Sequence, residues 1–177
     1  AAVEPKHKKR TGIELLALAI ASLFGTGFFP KMPGTAGSAV ALLLLLLPVS
    51  DIHLFLLVAG ILGFLLGLVV VPELCDEHDA DPGFVVIDEA AAMWLILASP
   101  LIEHTWLTVG LAFGLFRLFD IWKPFPIQRS ERRKWRCAGR ADDLVAAFYA
   151  SVCLHLLYHL YNALGLVILF LRDKLYQ

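Results

Sequence analysis

The sequence predicts an all-α, membrane-embedded bundle of several helices, some short or re-entrant, with its motif loops gathered on the cytoplasmic face. Three observations predict this class. Of the 177 residues 59% are hydrophobic and only 18% are charged, against roughly 45–50% and about 25% in an average soluble domain. A small protein in water has too much surface for so little charge, so a soluble globule, a disordered chain and a fibre are all disfavoured. Second, Ile52–Val71 is an uncharged stretch of 20 residues. As a helix it reaches about 30 Å, the thickness of a hydrocarbon core. Third, Leu- and Ala-rich segments of helical length recur, whereas a strand in lipid would need a closed barrel.

The elements follow in chain order. A basic start (Lys6, Lys8, Lys9, Arg10) leads into apolar Ile13–Phe24. It has the look of a signal peptide, but the run continues into the Gly-rich segment 25–37 and is read as part of the mature protein. Ser38–Leu47 is too short to cross a bilayer and ends at Pro48. Ile52–Val71 is the best span, and Gly60, Gly63 and Gly67 recur on it at a spacing that lets helices approach closely in lipid. Ala90–Ile102 and Thr105–Phe119 are short, with Glu103 and His104 between them. Leu144–Leu171 is long enough for one tilted span plus a tail. The expected organisation is a basic tail (1–12), a single helical domain (13–171) and a short C-terminal tail (172–177).

The net charge of −1 removes any case for nucleic-acid binding on bulk charge. The signs are nonetheless segregated. Residues 123–140 carry seven Lys or Arg, and 73–81 is acidic. Short basic loops stay inside, so both basic stretches belong on one side. The pairs 38–47/52–71 and 90–102/105–119 would then each leave and return, bringing every polar cluster to the same membrane face. Cys75, Cys137 and Cys153 are odd in number and form no CxxC pair, so neither a disulfide framework nor a zinc site is indicated.

Four clusters carry chemistry. The segment 25–38 (GTGFFPKMPGTAGS) is not a P-loop, but glycines before a helix expose converging N–H groups that suit phosphate. Lys31, Gly34, Thr35, Gly37 and Ser38 are its candidate phosphate contacts. A plain turn between two helices explains it equally well. Asp88 and Glu89 lie inside an apolar segment, where ionised groups are expensive and mark function. Asp120 stands one helical turn after Arg117 and three residues before Lys123. Ion pairing is its bland explanation. Asp142 and Asp143 open the last apolar helix, where N-capping alone would account for them. Five carboxylates (Asp88, Glu89, Asp120, Asp142, Asp143) at the ends of three hydrophobic segments suit Mg²⁺, which couples one or two carboxylates to phosphate and water. Arg117, Lys31 and Lys123 would take phosphate oxygens.

Other constellations rank lower. His155 and His159 lack the Glu of HExxH and read as polar groups on a bundle-facing stripe. His78 belongs to the acidic turn, and Trp94, Trp106, Trp122 and Trp135 fit interfacial anchoring. Cys137 has no CxxxxxR partner, since position 143 is Asp.

The four pieces GTGFFPKMPGTAGS (25–38), VIDEAAAMW (86–94), FRLFDIWKPFPI (116–127) and DDLVAA (142–147) together resemble the phosphatidylglycerophosphatase A family of bacterial membrane phosphatases, in order and in spacing. The resemblance implies a helical inner-membrane protein that hydrolyses phosphatidylglycerophosphate to phosphatidylglycerol and phosphate with Mg²⁺. It also implies that the five carboxylates and Lys123 are the catalytic and metal-binding set. Two departures stand out: Arg136–Ala141 keeps a single glycine where the family has a Gly-rich stretch, and Ala92 stands where a glycine is expected. Two other classes fit the residues: a small transporter or ion-conducting bundle whose intramembrane acids mark a path, and a non-catalytic homologue that binds anionic lipid.

Overall fold

A computed structural model describes residues 12–74, 82–122 and 138–175. Among these the chain is helical without strands. These residues form six α-helices, α1 (Gly12–Ala21), α2 (Pro33–Ala41), α3 (Ile52–Val70), α4 (Ile87–Leu97), α5 (Trp106–Trp122) and α6 (Ala138–Leu175), with short 3₁₀ turns after α1, α2 and α3.

A short apolar helix takes the innermost place. On α4 nine of eleven residues are buried, and α2, α3, α5 and α6 all pack against it. At ~1.5 Å per residue it is about 16 Å long, half a bilayer. Its Ala90, Ala91 and Ala92 are fully buried, so neighbouring backbones come close. Ala92, where a glycine was expected, sits in this core. Trp94 also faces inward, and its indole Nε1 donates to the Ala41 carbonyl at 2.9 Å, tying α4 to the end of α2. A buried bond of this kind contributes roughly 1 kcal/mol net. Trp94 is therefore a core residue rather than the interfacial anchor expected, while Trp106 and Trp122 are exposed.

The helix α3 begins at Asp51, whose carboxylate accepts from the Leu54 N–H at 3.0 Å, as an N-cap should. It buries Leu56, Gly60, Gly63 and Gly67 and turns Leu62, Leu65, Leu66 and Val69 outward. Such a helix is inside-out for water: small residues face the protein, and large apolar ones face the surroundings. That pattern suits lipid, where close backbone approach rather than hydrophobic expulsion joins helices. Among the described residues two helices are long and apolar enough to cross a membrane, Ile52–Val70 and, within α6, Asp142–Leu169. Thr105 and Thr108 cap α5 reciprocally, with each hydroxyl accepting the other's N–H at 3.2 and 2.9 Å. Below them Ala112 and Phe116 continue a stripe buried at four-residue spacing.

The last helix is longer than its apolar run suggests. It starts at Ala138, so Asp142 and Asp143 lie in its second turn, not at its N-cap. Capping does not explain them. His155 faces the bundle and His159 is exposed, so the expected shared stripe holds for the first histidine alone.

The up-and-down order places the starts of α2, α4 and α6 beside the ends of α3 and α5. At the opposite end lies a histidine-rich cluster. His155 Nδ1 is 2.7 Å from the Ser151 carbonyl and Nε2 is 2.7 Å from the Ser99 hydroxyl. A carbonyl only accepts, so Nδ1 carries the proton and Nε2 accepts from Ser99. His104 Nε2 likewise donates to the Leu97 carbonyl at 2.7 Å, and its ring lies 4.6 Å from that of His53. Burial pulls His104 below its usual value of 6.5, opposed by the bond to Leu97 and reinforced by His53. The unfolded chain therefore takes up this proton more readily than the fold. The contribution to stability is intact above pH 6.5, erodes as pH falls below it, and levels off beneath the folded-state value. The melting temperature of the detergent-solubilised protein is expected to fall between pH 7.5 and 5.5, and His104→Gln to flatten that slope. An equally steep slope in the variant would contradict this assignment.

Candidate active site

At the end of the bundle opposite the histidines, four helices and one loop enclose a cavity of about 270 Å³ lined by Pro33, Gly34, Pro82, Gly83, Val85, Asp88, Glu89, Asp120, Asp142 and Asp143. Each helix delivers its residues through a different local device. Pro33 at the first position of α2 has no N–H to waste there and fixes φ for helix entry. The next two N–H groups, of Gly34 and Thr35, have no intrahelical acceptor. They point from the positive end of the helix dipole toward the cavity end. Pro82 and Gly83 form a turn closed by Val85 N–H to the Pro82 carbonyl at 2.9 Å. It leads into α4, whose first turn holds Asp88 and Glu89. Val86 N–H bonds the Ala21 carbonyl at 2.9 Å, anchoring that entry to α1.

All five predicted carboxylates thus meet, although they are spread over 56 positions of sequence (88 to 143). Asp143 lies beside Asp120 and within electrostatic reach of Glu89 and Asp88. Arg117, also predicted, threads between them: its Nη2 is 3.0 Å from Asp120 Oδ2 and 3.9 Å from Glu89 Oε1. Its guanidinium also lies 4.9 Å from the Phe116 ring centroid, a stacking that limits its freedom. Arg117 Nε is buried without a hydrogen-bond acceptor among the described residues. A buried donor of this kind suits an anionic ligand or a water.

Of the phosphate contacts expected on 25–38, Gly34 alone lines the cavity. A β-carbon at Gly34 would overlap the Glu89 carboxylate and lie 3.0 Å from Arg117 Nη1, so the glycine is needed for space. Gly37 and Ser38 correct the expectation. Gly37 is packed on Val86, where a β-carbon would come within 2.7 Å. The fully buried Ser38 hydroxyl is spent on the Gly34 carbonyl at 2.9 Å. They hold α2 in place behind the cavity wall. The Thr35 side chain stands outside the lining, and Lys31 is exposed with φ of 80°, a backbone turn that directs the chain into α2. Lys123, His78, Cys75, Cys137 and Trp135 lie outside the described residues. Pro82, Gly83 and Val85 were not foreseen, although the Pro-Gly pair is a turn signal just ahead of the acidic segment.

The donor set is hard oxygen with one arginine, which fits Mg²⁺ rather than a soft metal. Among the described residues no three of the His, Cys, Asp or Glu side chains are grouped to ligate one ion directly. The fit is therefore to a cation gripped by one or two carboxylates, with the others acting through water, the usual manner of Mg²⁺. The volume leaves room for a phosphate group and several waters at ~30 Å³ each.

Comparison with known proteins decides the family. Residues 19–158 match the family model for phosphatidylglycerophosphatase A. The chain belongs to this family. It is 36% identical over 149 residues to phosphatidylglycerophosphatase A of Haemophilus influenzae, covering 79% of this chain and 85% of that protein. Against the Escherichia coli phosphatidylglycerophosphatase A the identity is 33% over 143 residues, 77% and 80% of the two chains. A protein of Bacteroides thetaiotaomicron whose name proposes phosphatidylinositol-3-phosphatase activity is 32% identical over 143 residues, 77% of this chain and 90% of that one. No solved structure matches. The family resemblance drawn from the four motifs is thereby established, and the chain is a phosphatase.

The crowding at Gly34 makes a direct prediction. Gly34→Ala should displace the Glu89 carboxylate and the Arg117 guanidinium together and lower phosphate release about tenfold or more, with helix content unchanged by circular dichroism. Wild-type turnover in this variant would show that neither side chain needs its present position.

Proposed function

We propose that the protein removes the terminal phosphate of phosphatidylglycerophosphate, giving phosphatidylglycerol and phosphate, as an Mg²⁺-dependent step of phospholipid synthesis at the bacterial inner membrane. The observation that carries the reading is the meeting of five carboxylates in one cavity at the end of an apolar bundle, with Arg117 paired to Asp120 and Glu89 beside it. Family membership supplies the reaction class, and the Haemophilus and Escherichia relatives supply the preferred substrate. The Bacteroides relative favours a second substrate of the same chemistry, a phosphate monoester on an inositol lipid.

The residues divide the work by charge. Arg117 and the first N–H groups of α2 would receive the phosphate oxygens and stabilise them as charge shifts toward the equatorial positions. Bound Mg²⁺ supplies Lewis acidity toward the phosphate and makes water a better nucleophile. Asp88, Glu89, Asp142 and the Asp120–Asp143 pair would hold that ion, directly or through water. That pair would also take the proton of the attacking water, while the ester oxygen leaves with a proton from solvent or from a carboxyl group. Lys123, three residues beyond Asp120, is proposed to add positive charge. The seven basic residues of 123–140 follow directly on α5, whose last turns reach the cavity. By the positive-inside tendency the cavity would open to the cytoplasm of a protein that crosses the membrane more than once.

Asp88→Asn and Asp143→Asn should each abolish phosphate release from phosphatidylglycerophosphate in mixed micelles while leaving the melting profile recognisably native. EDTA should do the same to the wild type, and Mg²⁺ should restore it. Running phosphatidylinositol 3-phosphate in parallel ranks the two substrates. Turnover near the wild-type level in both variants would discredit the carboxylate centre.

A further inference from the structure

The three glycines of α3 share a helix face, but one of them meets different neighbours from the other two. A β-carbon at Gly60 would come 2.7 Å from Leu95 Cγ, and one at Gly63 would come 3.0 Å from Trp94 Cζ3 and 3.3 Å from Ala91 Cβ. Those two glycines serve apolar packing against α4. Gly67 differs: a β-carbon there would lie 2.6 Å from Asp88 Oδ1 and 3.4 Å from Ile87 Cγ2. A carbon cannot sit that close to a carboxylate oxygen, so the side chain would have to move. Asp88 is only 7% exposed and has a short side chain fixed in the first turn of the most enclosed helix. It has little room to yield except toward the cavity.

We propose that Gly67 is a positioning residue for Asp88, the bare backbone of α3 being the seat against which this carboxylate is set. The inference rests on the phosphatase reading of the cavity and deepens it. The helix α3 places no side chain in the cavity wall, yet it fixes one of the wall's charges. A lipid-facing helix is thereby coupled to the reaction centre through a single missing methyl group.

The test uses the full chain in detergent micelles, with Mn²⁺ as the probe read by electron paramagnetic resonance. Gly67→Ala should bind Mn²⁺ about tenfold more weakly or worse, and lower kcat with little change in KM. Gly63→Ala should bind Mn²⁺ within about twofold of the wild type, because its new methyl meets no part of the site. Melting supplies a readout independent of metal and turnover. Gly67→Ala alone should melt below the wild type, whereas in an Asp88→Ala background, where the obstructing carboxylate is gone, it should cost little more. That rescue remains measurable even if Gly67→Ala by itself folds poorly. Wild-type Mn²⁺ affinity in Gly67→Ala overturns the proposal. So does a loss of stability that persists undiminished beside Asp88→Ala. If Asp88→Ala itself releases phosphate and binds Mn²⁺ like the wild type, the carboxylate centre is refuted and this inference falls with it.

Discussion

Like charges gathered in a low-dielectric end of an apolar bundle are the constraint on which the rest of this structure depends. Each ionised carboxylate loses hydration when enclosed, and each repels its neighbours, so five around one cavity are tolerable only with compensating positive charge and donated hydrogen bonds. Arg117, between Glu89 and Asp120, supplies one charge. The helix ends supply partial charge: α2 and α4 both begin at the cavity, and their N-termini favour anions. A bound divalent cation, as proposed, would supply the remainder. Removing one carboxylate or the arginine disturbs this balance more than it disturbs the fold, because the packing that holds the helices lies deeper, among Ala90, Ala91, Ala92 and Phe116.

The architecture serves that concentration of charge. A helix that spans a bilayer separates its ends by about 30 Å. Short elements such as α2 and α4 instead bring their termini to one level. Packing through glycine and alanine lets them do so without bulky side chains to spread the helices apart. On α3 most leucines and valines go to the outer surface, where lipid accepts them at no cost. The bundle is thus apolar on the outside, small-residue in the middle and acidic at one end. That arrangement suits a substrate whose tails stay in lipid while its phosphate is enclosed by protein.

Much of this was legible in the residues. Asp88, Glu89, Asp120, Asp142 and Asp143 announced themselves because a charge amid apolar residues is costly unless it works, and Arg117 because it stands one turn from Asp120. The helical class and the gathering of the acidic clusters at one end followed from segment lengths and charge segregation. What escaped was whatever depends on how helices face one another. Gly37 and Ser38 share a motif with Gly34, yet a helix rotates them behind the wall against Val86 and the Gly34 carbonyl. Asp142 and Asp143 sat beside an apolar run and so suggested a cap, but the helix begins at Ala138, within a stretch too polar to announce it. His155 and His159 looked equivalent at i and i+4, although the bundle ends its grip on α6 between them. Gly67 was indistinguishable from Gly60 and Gly63 because spacing reports a helix face and not what stands opposite it.

The most direct measurement is the position of a bound ion. Anomalous diffraction from crystals of the full chain grown with Mn²⁺ and inorganic phosphate should show a single strong metal peak inside the cavity. The account requires carboxylates from at least two of α4, α5 and α6 around that peak, in contact directly or through one water, with phosphate facing Arg117 and Gly34. A metal peak held by one helix alone, or seated away from Asp88, Asp120 and Asp143, would contradict it.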